Sequence, residues 1–226
     1  MSTPDLAAQP APAGVYARGT TEFDRALGFF DAIFGFSATL LVANLDVPVG
    51  ADWDSVVTLL GGNVGDQLLS FIISFVVIAS FWRANHAVMS EFEAIDSKII
   101  TVGIMLVGLV IFIPFTTQGI GDERSSELPL PVALYAVNVA LIVLASLLLE
   151  TLGRRRGLSA FTRSRSSLLG PFAVVGVFLA SIAVAYLVSA DAAKLSWLSL
   201  ILIGPLVGRL HQPAITPPPT GRIDNT

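Results

Sequence analysis

The chain has 226 residues, of which 54% are hydrophobic and only 13% charged, with a net charge of −4. A soluble domain carries about 25% charged residues, so this deficit excludes an ordinary soluble fold and points to an all-α, polytopic membrane protein. There is no cysteine, which excludes disulfides, thiolate metal sites and cysteine nucleophiles.

Residues 1–22 are rich in Ala, Pro and Thr and hold no apolar core. They read as a disordered cytoplasmic tail rather than a signal peptide. Six spans are then predicted, at about 25–46, 67–89, 97–118, 130–151, 168–189 and 194–210, within a transmembrane domain of roughly residues 23–211. Residues 212–226, with Pro217, Pro218 and Pro219, read as a second disordered cytoplasmic tail.

The first span is the most informative. It carries Arg25 and Asp31 near its start. A carboxylate at mid-bilayer costs roughly 2.5–3.5 kcal/mol on insertion scales. Asp31 therefore needs a partner, water or an ion path. On an ideal helix Phe29, Ile33, Phe36, Leu40 and Ala43 form one stripe, and Gly28, Ala32, Gly35 and Thr39 form a neighbouring stripe of small residues. The small residues allow another helix to approach closely. Core or lipid contact is the plain explanation of the aromatic-aliphatic stripe. Asp31 sits about 140° round the helix from Phe36, so it is expected to anchor the helix to a neighbour rather than share the stripe's face.

The loop from Asp46 to Asp66, with Pro48, Gly50, Gly61 and Gly62, breaks the pattern. The second span ends with Trp82 and His86, one turn apart on one face. An interfacial Trp with a polar neighbour would explain them. A cluster with Asp31 is the sharper expectation, and it requires the first two spans to be adjacent. Pro114, Phe115, Thr116 and Thr117 lie near the end of the third span, where threonine hydroxyls can fill acceptors that a proline frees. Asn138 and Ser181 are isolated polar residues in the fourth and fifth spans and are expected to bond between helices. The short turn Ser189–Lys194 makes the fifth and sixth spans a tight hairpin.

Basic residues set the orientation. Arg18, Arg25, Arg83, Lys98, Arg154, Arg155, Arg156, Arg163, Arg165, Arg209 and Arg222 fall on one side, and only Arg124 and Lys194 on the other. Both termini are therefore expected in the cytoplasm of a cell-membrane protein. The outer loops carry Asp46, Asp52, Asp54, Asp66, Asp122, Glu123, Glu127 and Asp191. Such a rim concentrates cations at a mouth, although solubility alone would also account for it.

Other functions lack their motifs. No Thr-Val-Gly-Tyr-Gly filter, arginine-ladder helix, phosphate-binding glycine loop or zinc-protease motif is present. No nucleophile–base pair stands out. The sequence thus predicts no enzyme activity, cofactor or metal site, and no nucleic-acid partner.

The pattern Arg25-x-x-x-Phe29-Phe30-Asp31 resembles the Arg-x-x-x-Phe-Ser-Asp signature of the transmembrane protein 175 family, potassium-permeable channels of endosomes, lysosomes and bacteria. Trp82 with His86, and Pro114-Phe115-Thr116, extend the resemblance. It implies a homotetramer whose pore is lined by the first helices and narrowed by apolar side chains. The bottleneck position falls on Phe36, the next layer on Thr39 and the outer apolar layer on Ala43. Helical geometry separately places Phe36, Leu40 and Ala43 on one stripe. Two residues depart most from the family pattern, and Asn85, where relatives often have a second histidine, departs less. Phe30 stands where the signature has serine, and Phe36 where Ile or Leu is usual.

The resulting expectation is a tetrameric channel passing K⁺, with other monovalent cations as further candidates. Phe36, Thr39, Leu40 and Ala43 would line or constrict the pore. Arg25, Phe29, Asp31, Trp82 and His86 would brace it. Two rivals use the same residues differently. A proton-conducting or proton-coupled carrier would employ Asp31 and His86 as relays. A structural membrane protein would have no pathway at all.

Overall fold

The computed structural model describes residues 14–61, 63–159 and 168–197. A short strand β1 (Val15–Ala17) precedes helix α1 (Thr21–Ala43). A 3-10 turn (Gly50–Asp54) and helix α2 (Val56–Gly61) follow. Then come α3 (Asn63–Ser90), strand β2 (Ala94–Asp96), α4 (Ser97–Gly121), α5 (Pro129–Arg155) and α6 (Leu169–Leu187). Helix α1 and α3 to α6 are each long and apolar enough to cross a membrane. At 1.5 Å per residue, 25 residues reach roughly 37 Å, enough for a hydrocarbon core of about 30 Å.

The predicted spans match these five helices with shifted ends. The first begins four residues earlier than expected, because Thr20 caps it: its hydroxyl accepts the Phe23 N–H, with Glu22 and Asp24 in the first turn. The sixth predicted span lies mostly outside the described residues. Its start is helical over residues 190–197. Lys194, expected in the turn before it, lies within that helix and is buried, paired with Asp191 at 2.6 Å.

The expected tail is also corrected. Residues 1–13 lie outside the described residues, but 14–20 are ordered by β1, which pairs antiparallel with β2 in the register Val15↔Asp96, Tyr16↔Ile95 and Ala17↔Ala94. Composition concealed this, because the strand is held by distant loops. The Arg18 guanidinium donates to the carbonyls of Met89, Ser90 and Phe92 at 2.7–2.9 Å. The first two are C-terminal carbonyls that α3 leaves without helical partners. Asp96 caps α4 by accepting the Lys98 and Ile99 N–H groups and also pairs with Arg156 beyond α5. The break predicted between the first two spans, Asp46–Asp66, holds the 3-10 turn, α2 and the start of α3.

Helix α4 is the centre of the bundle, packed against α1, α3 and α5, while α6 packs on α5. Apolar burial alone supplies little between helices in lipid, so close packing and polar bonds matter more. Asn138 of α5 donates to the Leu109 carbonyl of α4. Ser74, Thr117 and Tyr135 form a buried chain of hydroxyls joining α3, α4 and α5. Thr116 and Thr117 bond the carbonyls of Phe112 and Ile113 within their own helix, while the Pro114 carbonyl accepts the Asn44 amide from the end of α1. Ser181 of α6 accepts the Trp197 indole N–H at 2.8 Å, and Trp197 stacks on Tyr135.

Two glycines admit aromatic rings. A Cβ on Gly153 would sit 2.5 Å from the Phe92 ring, and one on Gly103 would sit 2.4 Å from that of Phe30. Phe30 is thus a core residue filling the α1–α4 contact at 2% exposure. Overpacking a fitted core costs about 1–3 kcal/mol. Gly103→Ala is expected to lower the thermal midpoint accordingly, and adding Phe30→Leu should recover part of the loss. Additive losses in this double-mutant cycle would mean the two sites do not share this contact.

Candidate functional site: the two faces of the first helix

Helix α1 presents one packed face and one open face. Phe23, Phe30, Phe34, Ser37 and Leu41 are buried. They recur at three- and four-residue spacing and form the face that meets α3 and α4. The opposite face is open. Phe36 is 69% exposed, Phe29 52% and Leu40 46%. Gly28, Ala32, Gly35, Thr39 and Ala43 are exposed with them, while Ile33 is half-buried. The stripe drawn from the sequence therefore lies off the chain's own core. Nothing approaches within 4 Å of a Cβ built on Gly28 or Gly35.

The four residues expected to constrict a pore all fall on this open face. Thr39 donates its hydroxyl proton to the Phe36 carbonyl at 2.8 Å. Its oxygen lone pairs remain available, since a hydroxyl accepts as well as donates.

The residues expected to brace the helix divide. The Trp82 indole N–H donates to an Asp31 carboxylate oxygen at 3.0 Å. The His86 ring lies 5.7 Å from that of Trp82. Phe29 packs at a tilt beside Phe30, with centroids 6.1 Å apart. Arg25 is exposed and makes no ion pair among the described residues. Asp31 is thus joined to the end of α3, not to Arg25. At the far end of the helix, Asp46 and Gln67 exchange two bonds, Asp46 N–H to Gln67 Oε1 and Gln67 Nε2 to Asp46 Oδ2, each 2.8 Å. So α1 is tied to α3 near both ends.

Arg18 and Gln67 were missed by sequence reasoning. Each acts across more than twenty residues of chain, and neither belongs to a local pattern. The Phe30 packing was missed as well. Gly103, within the apolar run of the third span, gave no sign that it faces the first helix.

Residues 25–114 match the family model described as endosomal/lysosomal potassium channel TMEM175. Over these residues the chain is similar to this family. It is a helical, multi-pass membrane protein of the cell membrane. A curated relative, a potassium channel of Chryseobacterium sp. (strain P1-3), is 25% identical over 122 residues, 54% of this chain. The match spans 60% of that relative's length. A crystal structure described as a lysosomal potassium-selective channel TMEM175 homolog, from Chamaesiphon minutus, shares the fold with a TM-score of 0.63. That likeness covers 83% of this chain and 99% of the other at 22% identity.

The Trp82–Asp31 bond can be isolated. A hydrogen bond of this kind contributes about 1 kcal/mol net, and solvent at this exposed site keeps it near that figure. Trp82→Phe and Asp31→Ala are each expected to lower the thermal midpoint modestly, and the double variant no further than either alone. Fully additive losses would show that the bond carries no coupling.

Proposed function

We propose that the chain is a potassium-permeable channel, a homotetramer whose pore is lined by the open face of α1. The observation that carries this reading is the exposure of Phe36 and its stripe on a helix whose other face is fully packed. The split is between a packed and an unpacked apolar face, not between an apolar and a polar one. Here the open face combines glycines for close approach with bulky rings. A helix that both packs on copies of itself and faces an axis needs that combination. The names of the relatives favour K⁺ as the permeant ion. Basic residues gather at the end of the bundle that carries the β1–β2 sheet, which favours cytoplasmic termini.

In this arrangement four Phe36 rings converge on the axis as an apolar collar. Such collars bar ions by dewetting. An ion passing through loses water and gains no carbonyl or carboxylate in return. K⁺ holds its water less tightly than Na⁺, so the collar favours it. Thr39 oxygens, one turn along, soften the loss. Asp31, Trp82 and His86 hold α1 upright against α3, and no covalent chemistry is involved.

The test is a planar-bilayer recording under a K⁺/Na⁺ bi-ionic gradient, with native mass spectrometry of the same sample. The expected mass is that of four chains. Phe36→Ala is expected to raise K⁺ conductance several-fold and move the reversal potential toward zero selectivity. Thr39→Val should keep the conductance and reduce the K⁺ preference. A monomeric mass would defeat the pore. An unchanged Phe36→Ala channel would move the bottleneck to Leu40 or Ala43.

A further inference from the structure

The end of the bundle remote from the β1–β2 sheet holds a small cavity of about 50 Å³, walled by the chain after α1, the start of α3 and the end of α4. Asp46, Ser70, Gln118 and Asp122 line it. One water needs about 10–15 Å³, so there is room for an ion with a water beside it.

Three independent features give this cavity a cation's chemistry. The first is oxygen donors. Asp46 keeps one carboxylate oxygen beyond its bond to Gln67, and Asp122 keeps one beyond the Oδ1 that accepts the Arg124 N–H. Gln118 adds an amide oxygen. The second is Ser70. It is 3% exposed, lines the cavity and makes no hydrogen bond among the described residues. A Cβ on Gly121 would lie 3.2 Å from its Oγ, so α3 and α4 approach closely at this point. The hydroxyl has no protein partner among the described residues, so its oxygen is free to accept a ligand in the cavity.

The third feature is the helix termini. Both α1 and α4 end here, and neither has a basic residue in its last turn. Each C-terminus carries roughly half a negative charge. The start of α3 opposes them, but Asp66 in its first turn offsets it. Of the nearby cations, Lys194 is engaged by Asp191, and Arg124 makes no ion pair among the described residues.

We propose that this cavity is a binding site for a hard divalent cation of the Ca²⁺ class, held by Asp46, Asp122, Ser70 and Gln118 with water completing the shell. Ca²⁺ takes about 6–8 oxygens in flexible geometry, whereas Mg²⁺ demands a near-ideal octahedron and gives up water reluctantly. Carboxylate, hydroxyl and amide oxygens from three separate segments suit the former. Bound there, the ion locks the end of α1 to α3 and α4, alongside the Asp46–Gln67 bonds.

The experiment uses the full chain in detergent, freed of metal by chelator and returned to matched ionic strength. Radiolabelled Ca²⁺ binding and thermal unfolding are followed with CaCl₂, MgCl₂ and KCl. Saturable binding of one Ca²⁺ per chain is expected, with a midpoint raised by roughly 5–10 °C at hundredfold excess over Kd. Asp122→Asn should weaken Ca²⁺ at least tenfold, and Ser70→Ala several-fold. Ser70→Ala leaves every charge and the Asp46–Gln67 bonds intact, so it keeps the test open if Asp122→Asn folds poorly. No saturable Ca²⁺, unaltered affinity in Ser70→Ala, or equal shifts from all three salts would each overturn the assignment. The last result would reduce the acids to general screening.

Discussion

Helix α1 is packed on one side only, and the rest of the molecule is arranged around that imbalance. Its inner face is a run of large apolar residues seated on α4, with Phe30 entering the space that Gly103 leaves. Inside a bilayer, apolar burial gives little net drive for helices to associate. Fit and polar bonds must hold α1 instead. They do so at three levels: Trp82 to Asp31 near one end, Phe30 on Gly103 in the middle, and Asn44 and Asp46 to α4 and α3 at the other end. A helix fixed on its inner face in this way can present its outer face without shifting register.

The same economy appears elsewhere in the bundle. Helix α4 is held by one polar link to each neighbour: the Asn138 bond to α5, the Thr117–Ser74 contact to α3, and the Asn44 amide on the Pro114 carbonyl from α1. Each satisfies a polar group that has no water to turn to. At the sheet-bearing end, the loops close on one another through Arg18, Asp96 and Arg156. The strand before α1 is thereby tied to the ends of α3 and α5. Any displacement of those ends is felt at the start of the first helix.

The Phe30 position shows how a departure from a family signature is absorbed. A hydroxyl at this point would need a polar partner. The phenyl ring needs volume, and Gly103 of the central helix provides it. The Asp31 carboxylate then relies on the Trp82 indole, one residue round the helix from the altered position. The Phe30 packing and the Asp31–Trp82 bond are therefore separate contacts in this chain.

The sequence by itself determined the membrane class, the positions of five long helices to within a few residues, and the division of α1 into stripes. Those properties are written in local periodicity and in the length of apolar runs, which the bilayer thickness converts directly into structure. It also placed Asp31 away from the Phe36 stripe and near Trp82, because helix geometry fixes angles and chain direction fixes depth. Only the tertiary structure decided which stripe of α1 faces inward. Both faces are apolar, and hydrophobicity does not rank them when one solvent is lipid. It alone ordered residues 14–20, whose partners lie more than seventy residues away, and it alone brought Asp46, Ser70 and Asp122 around one cavity. These depend on which helix ends meet, and that is settled by the fit of side chains such as Phe30 against Gly103 rather than by any local pattern.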